Sequence, residues 1–136
     1  MNAKADPKPR ILVVEDEKHI AEGIRLNLSL LGYAVTIAGD GVAALQLWKT
    51  WRPDLIVLDV LMPRESGIRL YRKLKTNKKY KDVPIVMLSG IAEKSFLRSQ
   101  KALTEFSGEP VPEPDVYLEK PVEAHELAEA IKKILG

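Results

Sequence analysis

Apolar positions along the chain keep two different spacings, and the two alternate. Blocks that are apolar at almost every position (11–14, 34–38, 55–58, 85–88 and 116–118) are separated by longer stretches, 18–31, 42–51, 66–76, 92–106 and 123–135, where apolar residues return every third or fourth position. Stripes such as Ile20, Ile24, Leu28 and Leu31, or Leu127, Ala130, Ile131 and Ile134, place their side chains on one face of a helix. The continuous blocks suit strands covered on both faces, as in a parallel sheet whose crossover helices lie above and below it. The pattern therefore predicts five strand-helix pairs and an α/β fold, a doubly wound five-stranded parallel sheet with five helices. Gly32 follows the first helical stretch directly, where a glycine can cap the helix by taking the left-handed conformation.

Residues 1–10 hold Pro7 and Pro9 among polar neighbours and carry no such pattern; they read as a flexible leader, and residues 11–136 as one domain. A chain of 136 residues, 46% hydrophobic and 29% charged, can bury one core but not two. The lack of cysteine excludes a disulfide framework, a thiolate metal site and a cysteine nucleophile together. No run approaches the roughly 18 apolar residues of a membrane span, and no signal-peptide core precedes residue 11, so a cytoplasmic location without a membrane partner is expected. A net charge of +2 is too small to steer the molecule toward nucleic acid. The basic cluster of Arg69, Arg72, Lys73, Lys75, Lys78, Lys79 and Lys81 has neither interleaved aromatics nor a helix-turn-helix pattern. It reads as the solvated end of a helix with its loop rather than as a nucleic-acid surface.

In a doubly wound sheet, ligands bind beyond the carboxyl ends of the strands. Strand one ends in Glu15-Asp16, strand three in Asp59, strand four in Ser89 and strand five in Glu119-Lys120. Carboxylates held together raise one another's pKa unless a cation neutralises them. With no His or Cys at these ends, Mg²⁺ suits the site better than Zn²⁺. Asp59 can then act as a carboxylate nucleophile that forms an acyl phosphate, while Lys120 supplies a point charge and Ser89 a hydroxyl donor. Singly, each residue has a plainer role: Asp16 as N-cap of the first helix, Asp59 and Ser89 as turn residues, Lys120 as a solvated lysine, Tyr117 as a core aromatic. Their arrival together on matching strand ends argues against coincidence.

The strings ILVVEDE, PDLIVLDVLMPRESG, PIVMLSG and YLEKP, in that order, resemble the signature segments of the receiver domains of bacterial two-component response regulators, the CheY-like superfamily. The likeness runs from residue 10 to residue 136. It implies a flavodoxin-like sheet of order 2-1-3-4-5, an order the apolar pattern alone does not give. It further implies Asp59 as phosphoacceptor, Asp16 as direct Mg²⁺ ligand, Glu15 as its water-mediated partner and Leu61 as a ligand through its backbone carbonyl. By the same resemblance Ser89 is the switch hydroxyl, Lys120 pairs with the phosphoryl group, and Gly90 leaves it room. Tyr117 is the aromatic that turns inward on activation, and the Lys120–Pro121 bond is cis.

The function implied is a phosphorelay switch, not an enzyme except toward its own phosphorylation and dephosphorylation. A sensor histidine kinase or phosphotransfer protein would donate the phosphoryl group, and a downstream protein partner would read the face of the fourth helix, fifth strand and fifth helix. A phosphorylation-dependent dimer is a further option. A phosphoryl group adds about one to three charge-assisted hydrogen bonds of roughly 1.5–3 kcal/mol each, against the roughly 5.5 kcal/mol that inverts a 1:99 population. Ser89 and Lys120 stand 31 positions apart, a longer interval than is usual in the family, because residues 107–114 lengthen the connection. Prolines 110, 112 and 114 are expected to keep that segment extended and to let it shape partner choice, with Glu109 and Glu113 giving it negative charge. Leu61 and Ile91 are apolar where many receivers carry a polar side chain, which implies slow loss of phosphate.

The last helix closes at Gly136, and the chain reads as a stand-alone regulator, the alternative being a receiver module of a longer one. An aspartyl-phosphate phosphohydrolase would need a second Asp where Leu61 stands. A flavodoxin would need a phosphate-cradling loop where Glu15-Asp16-Glu17 repel phosphate.

Overall fold

The computed structural model of the chain describes residues 8–60, 65–108 and 110–136. Five strands, β1 (Arg10–Val14), β2 (Ala34–Ala38), β3 (Leu55–Val60), β4 (Ile85–Ser89) and β5 (Val116–Glu119), form one parallel sheet in the order β2-β1-β3-β4-β5. Each strand is followed by a helix: α1 (Lys18–Leu30), α2 (Gly41–Leu47), α3 (Glu65–Thr76), α4 (Glu93–Ser107) and α5 (Ala124–Leu135). The expected fold class, strand order and helix count are all observed.

Side chains alternate across each strand, so an uninterrupted apolar strand feeds two cores at once. Leu12, Val14, Ile56, Leu58, Ile85 and Met87 pack on one face against Trp48, Leu70, Tyr71, Leu74 and Phe96, beneath α2, α3 and α4. Ile11, Val13, Leu55, Val57, Val86 and Leu88 pack on the other against Leu28, Leu127 and Ile131 of α1 and α5. Each such side chain, at or near zero exposure, contributes about 1.5–3 kcal/mol relative to leaving it in water, which is why the central strands tolerate no polar residue before their ends.

The helix ends show how local chemistry sets the boundaries. Gly32 takes φ +98°, and the N–H groups of Gly32 and Tyr33 reach back to the carbonyls of Ser29 and Leu28, the paired bonds of a Schellman cap. At the start of α1 the cap is Glu17, whose carboxylate accepts from the N–H of His19 and Ile20 at 3.1 and 3.2 Å. The plain N-cap role is therefore filled without Asp16. Helix α2 stops at Leu47, earlier than the apolar spacing through residue 51 suggests. The N–H groups of Thr50 and Trp51 both turn onto the Leu47 carbonyl, redirecting the chain toward β3. Strand β1 begins one residue ahead of its apolar block, since Arg10 N–H bonds Asp54 and the Pro9 carbonyl accepts from Ala34.

Candidate functional site

The register aligns the strand ends so that the polar residues after them share one edge. Val14 lies beside Leu58, Asp59 beside Leu88, and Ser89 beside Glu119, so Glu15, Asp59, Ser89 and Lys120 fall within about one residue of a common line. The Lys120 N–H continues the ladder onto the Ser89 carbonyl at 2.8 Å, and that of Glu15 onto the Ala38 carbonyl at 3.0 Å.

The Asp59 side chain is fully buried and its Oδ1 lies 2.5 Å from Lys120 Nζ, which keeps 26% of its side chain exposed. Neither Asp59 oxygen receives a directed hydrogen bond, and Glu15 Oε1 is also buried without a donor. Glu15 Oε2, by contrast, accepts the Glu17 N–H at 2.8 Å. Burial, then the adjacent Asp59 carboxylate, push the Glu15 pKa up to about 9, with Asp16 adding to the effect and the Glu17 N–H opposing it. Asp16 itself is exposed at the mouth of the site. Two buried carboxyls served by one ammonium leave oxygen lone pairs that suit a hard cation.

No complete cage of three or more His, Cys, Asp or Glu side chains exists among the described residues. Mg²⁺ is ordinarily held by one or two carboxylates and keeps its own waters. Leu61, the expected carbonyl ligand, lies outside the described residues.

Ser89 and Tyr117 interlock through the backbone of Ile91. Ser89, 1% exposed, accepts the Ile91 N–H at Oγ (2.9 Å), and the Tyr117 hydroxyl donates to the Ile91 carbonyl at 2.8 Å. The Tyr117 ring is thus held inward, half-buried against the core. Burial raises its pKa, the Ser89 hydrogen bond opposes this, and the charges of Glu119 and Glu93 raise it further. Gly90 is exposed between them, and the Lys120–Pro121 peptide is cis.

Two roles were not visible in the sequence. Glu119 accepts the Glu93 N–H at 3.2 Å and so serves the start of α4, whose N-cap Ala92 has no side chain for the task. Phe96, which lies in the helical stretch 92–106, stands against Tyr117 with ring centroids 5.4 Å apart. Partners 26 and 21 positions apart leave no local signal. A groove of about 1060 Å³ between α1 and α5 is lined by Ile20, Ile24, Val122 and Leu127, by His19 and His125, and by Asp59 and Lys120.

Residues 11–132 match the family described as response regulator receiver domain, and the chain belongs to that family. It is 37% identical over 126 residues to the response regulator MprA of Mycobacterium leprae, covering 93% of this chain and 50% of that protein. Among solved structures, a putative response regulator from Chloroflexus aurantiacus is 32% identical with a TM-score of 0.73, covering 94% of this chain and 98% of that one. The chemotaxis response regulator CheY4 of Vibrio cholerae is 26% identical with a TM-score of 0.74, covering 93% and 98% of the two chains. The chain spans from 34% to 50% of the length of the curated relatives it matches. Receiver domains are phosphoryl-accepting signalling switches rather than metabolic enzymes, are generally Mg²⁺-dependent, and interact with histidine kinases or phosphotransfer proteins. No helix among the described residues is long and apolar enough to cross a membrane.

Proposed function

We propose that this receiver accepts a phosphoryl group on Asp59 from a phosphohistidine of a sensor histidine kinase or phosphotransfer protein. The observation that carries the reading is the Asp59 carboxylate itself, fully buried at a strand end, paired with Lys120 and flanked by Glu15. In the transfer an Asp59 oxygen bonds phosphorus as the phosphorus–nitrogen bond of the donor breaks, and the imidazole leaves with the bonding pair. The acyl phosphate so formed keeps Lys120 beside it as counter-charge, and Ser89 within reach as hydroxyl donor. The groove between α1 and α5 offers a route by which a donor protein reaches Asp59.

Asp16, exposed and free of the capping role, would be the direct Mg²⁺ ligand with Asp59 and the Leu61 carbonyl. Glu15, one oxygen of which is committed to the Glu17 N–H, would act through water. Bound Mg²⁺ supplies neutralising charge to the transferring phosphoryl group. Repositioning of Ser89 and Tyr117 would then alter the α4-β5-α5 face read by a downstream protein or by a second copy of the chain, in a cytoplasmic setting.

Incubation with acetyl phosphate and Mg²⁺, followed by intact mass measurement, tests this. Wild type should gain one phosphoryl group and Asp59→Asn none; a gain in the variant overturns the assignment. Asp16→Asn, followed by Mg²⁺ titration, should weaken binding by about tenfold or more, because an anionic ligand is removed.

A further inference from the structure

The connection from α4 to β5 does not hang free. Gly108 ends α4 in the left-handed conformation, φ +78°, with its N–H on the Thr104 carbonyl. Beyond it, Val111 packs against the core cluster beneath α4, and the Pro112 carbonyl accepts the Tyr71 hydroxyl at 2.7 Å. Pro110, Pro112 and Glu113 stay exposed. Among its described residues the segment is therefore seated by one apolar anchor and one part-buried hydrogen bond.

The second anchor leads back to the switch. Tyr71, with no exposure, meets Phe96 edge-on at 5.4 Å between centroids, and Phe96, 1% exposed, meets Tyr117 at 5.4 Å. Tyr117 is tied through its hydroxyl to Ile91, and Ile91 through its N–H to Ser89. Ser89, Ile91, Tyr117, Phe96, Tyr71 and Pro112 form one unbroken line of contacts. In an interior packed as densely as a crystal, a ring in such a line does not shift alone. Small shifts at one end become discrete rearrangements at the other because packed elements are bistable rather than continuously deformable.

We propose that residues 110–114 form a strap whose seating on α4 is coupled to the phosphorylation switch, through the Tyr117–Phe96–Tyr71 ring contacts and the Tyr71–Pro112 hydrogen bond. The proposal rests on the reading of Asp59 as phosphoacceptor. With Tyr117 inward, as observed, Phe96 and Tyr71 are held in place and the strap is down. Phosphorylation, which on that reading favours the inward ring, holds it down more of the time. The outward Pro110, Pro112 and Glu113 then belong to the part of the output face that reports the state.

Because the chain contains no cysteine, Val111→Cys introduces a single thiol beneath the strap, and its rate of reaction with an aromatic disulfide reports how often the strap lifts. Treatment with acetyl phosphate and Mg²⁺ should slow that reaction by about fivefold or more, the low end of ordinary coupling between two sites. Asp59→Asn in the same background should not respond. Intact mass is recorded on parallel samples. A phosphoryl mass with an unchanged or faster thiol rate overturns the coupling and leaves the receiver reading standing, whereas no phosphoryl mass in the Asp59 protein overturns that reading first. Tyr71→Phe, which keeps the ring and removes the hydroxyl, should raise the untreated rate and shrink the response while the phosphoryl mass persists. A full response in that variant removes the Tyr71–Pro112 bond from the pathway.

Discussion

Tyr71 shows how much one side chain can be asked to do. Its ring fills the core between α3 and α4, and its hydroxyl, which cannot be left unpaired at zero exposure, finds the Pro112 carbonyl 41 residues away. Burial, with the charges of Asp115 and Glu113 behind it, holds its pKa well above the ordinary tyrosine range. The consequence for stability has a definite sign. An unfolded tyrosine ionises near pH 10, while the folded Tyr71 keeps its proton, so at alkaline pH the unfolded chain releases protons that the folded one retains. Stability contributed by the neutral hydroxyl is complete below about pH 10 and falls as pH rises toward the folded value. Urea midpoints taken from about pH 9 to about pH 11 should therefore fall more steeply in wild type than in Tyr71→Phe. Equal slopes would show that the hydroxyl is not held neutral by its surroundings.

At the scale of elements, the sequence was informative wherever the cause is local. Continuous apolar blocks gave all the strands, since burial on both faces is written into consecutive residues, and the acids and Lys120 lie where strand ends must put them. Gly32 is the clearest local case. Nothing lies within 4 Å of a Cβ built there, so a side chain would meet no clash and the backbone angle alone decides the outcome. Gly32→Ala should lower stability by about 1–2 kcal/mol, the cost of forcing an L-residue into the left-handed region, and a urea titration measures it. A loss below the error of that titration would mean that the cap relaxes to another conformation. What stayed illegible is long-range or depends on competition. Apolar residues at 42–51 keep helical spacing, yet the chain turns after Trp48 because that ring goes into the core against Tyr80, 4.4 Å away, and the backbone must then reach β3. Glu17 rather than Asp16 caps α1, and Glu119 serves α4 from a neighbouring strand; only the assembled sheet decides between such carboxylates.

For the molecule as a whole, the decisive comparison is between the α4–β5 connection as a tolerated loop and its residues 110–114 as part of the packed structure. Loop closure favours the loop reading only weakly: each halving of a flexible loop gains about 0.6 kcal/mol, so replacing the segment by a tight turn returns about 1 kcal/mol. Against this stand the Tyr71–Pro112 hydrogen bond, worth about 1 kcal/mol net, and the partial burial of Val111 against the α4 core, worth about another 1 kcal/mol. Removing the strap also opens the Tyr71 and Phe96 rings, now at 0% and 1% exposure, toward water. The packing terms win, and the shortened chain should be less stable than wild type by about 1–3 kcal/mol. Since no strap residue lies among the groups gathered around Asp59, the same chain should still gain a phosphoryl group from acetyl phosphate with Mg²⁺. Urea denaturation and intact mass on one preparation separate the two effects. A shortened chain as stable as wild type, or more so, would reduce the strap to a spacer, and one that folds but no longer accepts phosphate would place the strap within the machinery around Asp59.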